Sequence, residues 1–122
     1  MSDLHKNAFP YTKNTAKETV EVRTLDSVLP QLQLRKNVLA KIDVQGYELD
    51  VLRGAEETLA QVDMLILETS FYELYLGQPL FEEVYRYMKE KGFSYRGNFE
   101  QVNSAVNGEV LQADAIFVRK GL

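Results

Sequence analysis

The sequence predicts an α/β fold. Two apolar runs, residues 38–44 and 64–69, each lead through a polar stretch into a segment whose apolar residues recur at helical spacing, which is the alternation of βα units. Two more strand-like runs follow at 93–99 and 113–120, with Asn107-Gly108 between them as a turn signal for an antiparallel pair. Hydrophobic content of 45% and charged content of 26% are ordinary for a globular chain.

At 122 residues there is room for one domain, expected over 18–122. Residues 1–17 show no periodicity and are rich in Asn, Thr and Lys, so a mobile arm is expected there. The single histidine, His5, lies in that arm, where nothing holds a base within hydrogen-bond reach of its proton. Residues 19–23 (TVEVR) alternate like a short strand. Thr24 or Asp26 can cap a brief helix carrying Leu25, Val28 and Leu29, limited by Pro30.

The run at 38–44 is apolar nearly throughout, as buried parallel strands are. Beyond Tyr47, the residues Leu52, Ala55, Leu59 and Val62 share one helical face, and Gly54 is expected to kink that helix or divide it in two. The strand at 64–69 stops at Glu68, Thr69 and Ser70, and a loop with Phe71, Tyr72, Tyr75 and Leu76 runs to Gly77. Pro79 suits the first turn of a helix with the stripe Phe81, Val84, Tyr85 and Met88, closed by Gly92.

Charge and composition exclude several functions. A net charge of −4 and a pI near 5.0 leave no basic stripe for nucleic acid. With no cysteine there is no disulfide, thiolate metal site or cysteine nucleophile. No apolar run approaches membrane-spanning length and no charged-then-apolar leader opens the chain, so a cytoplasmic protein is expected.

The chemistry is expected in the turn after the first strand, where Asp43, Gln45 and Gly46 stand within four residues. Ligands of open α/β sheets bind just past the carboxyl ends of strands. Gly46 lacks a Cβ where the chain turns, so a ligand or another backbone can approach.

KIDVQGYELDVLRGAEETL, MLILETSF, YLGQPLFEEVYRYMKEKGF and QADAIFVRK, in that order and spacing, resemble the carboxyl-terminal half of the FkbM family of S-adenosylmethionine-dependent methyltransferases. The resemblance implies part of a Rossmann-like methyltransferase sheet, mostly parallel, with helices between strands and a terminal antiparallel hairpin. It also implies a cofactor site on an earlier strand ending in an Asp-Val-Gly-Ala-Asn type loop, with an acid after the next strand for the ribose. Neither pattern occurs here, and the seven glycines, at 46, 54, 77, 92, 97, 108 and 121, form no such loop. Tight binding of S-adenosylmethionine by this chain alone is therefore not expected.

Methyl transfer to a hydroxyl needs the acceptor aligned and its proton removed. On the resemblance, Asp43 is the expected base, with Glu68 at the neighbouring strand end and Glu48 in the helix as supports. Gln45, Gly46, Tyr47 and Tyr72 are the expected acceptor-binding residues. Each has an ordinary structural alternative: Asp43 as a cap for the amides of Tyr47 or Glu48, Glu48 as a solvated first-turn acid, the tyrosines as packing, and Gln78 as part of a helix-entry turn. Nothing fixes Asp43, Glu48 and Glu68 into a known metal loop, so no metal is expected. The expected function is the carboxyl-terminal part of an O-methyltransferase acting on a sugar or other small molecule. The alternative is a non-catalytic module of the same ancestry that works through self-association or a protein partner. A homodimer or a missing amino-terminal half is the expected partner, because a nearly all-apolar strand at 38–44 would otherwise lie exposed.

Overall fold

The computed structural model describes residues 15–122. His5 and most of the expected arm lie outside the described residues. From 15 to 24 the chain is exposed and has no regular structure, so the strand expected at 19–23 does not form. Among the described residues its alternation finds no neighbouring strand to pair with, and Val20 and Val22 face solvent.

A short helix, α1 (Leu25–Val28), is capped by Thr24, whose Oγ1 accepts from the Ser27 amide at 3.1 Å. A 3-10 turn follows over Leu29–Gln31, with Pro30 near its start. Then come β1 (Leu39–Ile42), α2 (Glu48–Arg53), α3 (Glu56–Leu59) and β2 (Met64–Ser70). The chain closes with α4 (Phe81–Glu90), β3 (Phe93–Asn103) and β4 (Val110–Arg119).

Gly54 divides the helical stretch as the sequence predicts, and its neighbour explains why glycine stands there. A Cβ at Gly54 would meet the Thr24 side chain at 3.1 Å. That close approach lets the Asp26 amide donate to the Gly54 carbonyl at 3.0 Å. Asp26 serves a helix other than its own: its carboxylate accepts from the amides of Glu57 and Thr58 and from the Thr58 hydroxyl, capping α3. Pro79 sits just ahead of α4 rather than inside its first turn. Leu80 is the N-cap, and Glu83 reaches back to accept from its amide at 3.0 Å.

The four strands form one sheet in the order β1-β2-β4-β3. Only β1 and β2 pair in parallel; β2 with β4 and β4 with β3 are antiparallel. The expectation of a mostly parallel sheet therefore fails by pairing, although β1, β2 and β3 all point the same way. The reason is topological. The hairpin inserts β4 between β2 and β3, which turns what would be a parallel contact into two antiparallel ones.

Helices cover one face. Ile42, Leu65, Leu67, Phe93, Ala115 and Phe117 meet Leu49, Leu52, Leu59, Val62, Val84 and Met88 there, all essentially buried. Alternation along the strands sends Lys41, Met64, Ile66, Glu68, Asp114, Ile116 and Val118 to the other face, where each is only half-buried or exposed. β1 does not have the central, buried place that its composition predicts. It is an edge strand in which only Ile42 is buried, and Leu39 is 56% exposed, because among the described residues no strand pairs with its outer side. No helix among the described residues is long and apolar enough to cross a membrane.

Candidate functional site

The parallel pairing of β1 and β2 carries their carboxyl ends to the same edge of the sheet, so Asp43 and Glu68 meet. They share a side-chain hydrogen bond that favours the protonated form of Glu68. Burial above all, then the hydrogen bond and charge of Asp43 and the charges of Glu48 and Asp114, push Glu68 up to about 8. Asp114 stands directly across from Glu68 in the β2–β4 register, so two carboxylates face each other on adjacent strands. Gln112 Nε2 donates to Glu68 Oε1, which leaves the other oxygen to carry the proton.

Among the described residues one cation, Lys41, serves this group. Lys41 Nζ lies 3.3 Å from Asp43 Oδ2 and 3.7 Å from Asp114 Oδ2. Its hydrogen bond to Asp43 outweighs desolvation and, with the nearby carboxylates, raises its affinity for its proton. The side chains of Lys41 and Asp43 are about half exposed, at 50% and 43%, so a ligand can reach them. They open onto a cleft of about 330 Å³ on the helix-free face, completed by Glu68, Gln112, Asp114 and the β3 residues Glu100, Gln101 and Val102.

The turn that ends β1 is held from two sides. Gln45 and Gly46 both have positive φ, 52° and 107°. From below, the buried Glu48 carboxylate accepts from the amides of Val44 at 3.3 Å and of Gly46 at 3.1 Å. Glu48 is thus not a solvated first-turn acid: it is 2% exposed and spends its charge on the turn's amides. From above, the Tyr75 hydroxyl donates to Gln45 Oε1 at 2.9 Å, and a Cβ on Gly46 would come within 3.2 Å of Tyr75 Cβ. Burial first, then the field of Glu68, Asp43 and Glu48, raise the pKa of that hydroxyl.

Asp43 is not the helix cap that its position allows, since the N-cap of α2 is Tyr47 and the helix has no side-chain cap. Asp43 and Glu68 line the cleft. Glu48 lies beneath the turn, and Gln45 and Gly46 form its crest against Tyr75. Tyr47 is 67% exposed away from the cleft lining, and the Tyr72 hydroxyl donates to Glu109 instead. Lys41, Gln112 and Asp114 escaped sequence reasoning. Lys41 had one local signal, a charge in an otherwise apolar strand, but Gln112 and Asp114 reach the site only through the β2–β4 register. Among the described residues no group of three or more His, Asp or Glu is arranged to hold a metal ion.

Comparison with known proteins agrees with the resemblance read from the sequence. A family model described as the methyltransferase FkbM domain matches residues 2–95. The 2-O-methyltransferase NoeI of Sinorhizobium fredii is 35% identical over 74 residues, which is 61% of this chain and 30% of NoeI. The chain thus matches less than a third of that relative's length. No solved structure matches. The family match ends at Tyr95, so Asp43, Glu68 and the turn lie inside it while Gln112 and Asp114 come from beyond it.

Proposed function

The chain belongs to the FkbM methyltransferase family, and from that premise we propose that it forms the acceptor-binding, carboxyl-terminal part of an S-adenosylmethionine-dependent O-methyltransferase. In this reading its sheet is the end of a Rossmann-like methyltransferase sheet. The observation that carries the proposal is the hydrogen-bonded Asp43–Glu68 pair at the carboxyl ends of two parallel strands, opening onto a cleft. Asp43, held by Lys41, accepts the proton of an acceptor hydroxyl; Glu68, neutral at pH 7, donates a hydrogen bond to Asp43 and holds it in place. The cleft sets one lysine against four acids and two amides, a lining that favours a neutral polyhydroxylated acceptor such as a glycoside and repels phosphorylated ones.

The described residues do not fit the cofactor. The glycine that follows a parallel strand, Gly46, has its open side filled by Tyr75, so no ligand backbone approaches there. We therefore assign the cofactor cradle to chain other than these residues. Amide NMR of the labelled protein tests the assignment, with methyl glycosides, sugar phosphates and S-adenosylmethionine each titrated in turn. Neutral glycosides should perturb Asp43, Glu68 and Gln112 at millimolar concentration and the other two should not. Micromolar binding of S-adenosylmethionine, or no glycoside response at these residues, would overturn the proposal.

One observation favours a second reading, that of a non-catalytic module acting as a homodimer. The outer edge of β1 is unpaired among the described residues and carries exposed Leu39, whereas the other edge strand, β3, is broken by irregularities in its register. An antiparallel pairing of two copies about Ile42 would set Lys41 of each across from Asp43 of the other. On this reading, light scattering at micromolar concentration should give a dimer, and Leu39→Lys should give a monomer. A wild-type monomer would sink it.

A further inference from the structure

The loop between β2 and α4 is tied down by a side chain that the proposed chemistry does not use. Gln78 is 8% exposed, and its amide group makes three hydrogen bonds. Its Nε2 donates to the fully buried Ser70 Oγ at 2.7 Å, while its Oε1 accepts from the amides of Leu74 at 2.8 Å and Tyr75 at 3.1 Å. Only this orientation of the amide serves two N–H donors and leaves a donor for the serine. The Gln78 backbone amide adds a fourth bond, to the Tyr75 carbonyl at 3.0 Å.

These bonds fix Tyr75, and Tyr75 fixes the β1 turn. Its Cβ and that of Gln78 lie 3.2 and 3.6 Å from where a Gly46 Cβ would be, and its hydroxyl holds Gln45. Gln45 is a non-glycine residue at φ 52°, a conformation that persists only when its surroundings impose it. Asp43 leads directly into this turn, and Glu68 stands two residues before Ser70 on β2. Gln78 is therefore bonded both to the end of the Glu68 strand and to the loop that presses on the Asp43 turn.

We propose that Gln78 is a positioning residue for the Asp43–Glu68 pair, acting as a tie that holds the 71–77 loop, the β1 turn and the end of β2 in one arrangement. The functional meaning rests on the acceptor-site reading above, but the geometry does not. Without the tie, Tyr75 lifts from Gly46, the turn relaxes from its left-handed conformation, and Asp43 no longer faces Glu68 at hydrogen-bond distance.

The test is the Glu68 titration, followed by carbon NMR of its side-chain carboxyl in wild type, Gln78→Met and Ser70→Ala. Methionine keeps the length and volume of glutamine and makes none of its bonds. The serine variant deletes one oxygen and cuts only the tie to β2. In wild type the midpoint should stand near 8. In Gln78→Met it should fall by about one unit or more, as the hydrogen bond and charge of Asp43 move away, while the Val84, Met88 and Phe117 resonances keep their wild-type positions. Ser70→Ala should move the midpoint in the same direction by less. If Gln78→Met does not fold, the serine variant decides alone. A midpoint unchanged in the folded variants would overturn the proposal and leave Gln78 as a loop tie only. A shifted midpoint in a protein whose wild type ignores glycosides would keep the tie and remove the acceptor reading, so the two failures are distinguishable.

Discussion

Glu48→Ala should destabilise the fold by about 2–6 kcal/mol, since it takes the buried acceptor away from two part-buried backbone donors at roughly 1–3 kcal/mol each. The carboxylate is 2% exposed and accepts from Val44 and Gly46 in a turn with two consecutive positive-φ residues. Those amides point inward, so water does not replace the lost acceptor without opening the turn. Glu48→Gln keeps one acceptor oxygen and should cost about half as much or less, on the order of 1–3 kcal/mol. Urea denaturation at pH 7 measures both. A loss below about 1 kcal/mol for the alanine variant would mean that the turn finds other acceptors.

Raising the pH from about 4.5 to about 8 should lower the stability of the wild-type protein through Glu68. The unfolded chain releases this proton near 4.5 and the folded protein keeps it to about 8. Between those values the native state binds more protons than the unfolded state, so the free energy of unfolding falls with pH; above 8 the Glu68 contribution stays constant. Glu68→Gln removes this titration and still offers Asp43 an N–H donor. Its stability should therefore hold where the wild type declines, and the gap should widen steadily from pH 5 to pH 8. Asp26 works in the opposite sense and in a separate window. Burial opposes its charge, but the amides and hydroxyl at Glu57 and Thr58 outweigh that and lower its pKa, so its contribution is lost only on strong acidification. Parallel stability curves for wild type and Glu68→Gln across pH 5–8 would show that Glu68 is not held neutral.

The candidate site was legible in part, and the division follows chain distance. Asp43 and Glu68 each terminate an apolar run, and one crossover between parallel strands suffices to bring such ends together, so their meeting could be argued from sequence. The burial of Glu48 is not legible in the sequence, because its place in the first turn of a helix says nothing about whether the preceding turn folds back over it. In the sequence Tyr75 is a loop aromatic and Gln78 part of a helix-entry turn, since their partners Gln45 and Ser70 lie 30 and 8 residues away. The places of Asp114 and Gln112 are hidden in the sequence for a related reason. An alternating strand shows which residues share a face, but not which residues of a strand more than forty positions earlier they oppose.

Sequence alone determined the α/β class, the break at Gly54, the Asn107-Gly108 turn and the family, because each rests on local periodicity, a local backbone requirement or an ordered run of motifs. Tertiary structure decided what depends on neighbours. It placed β4 between β2 and β3, so that antiparallel pairings outnumber the parallel one, and it put the apolar β1 at an edge instead of the centre. It also left TVEVR without a strand to pair with among the described residues and raised Glu68 to about 8 by bringing burial and three carboxylates to one point. Hydrophobicity and turn chemistry act within a few residues, whereas strand order, register and a carboxyl group's field are set by atoms that only the folded chain brings within reach.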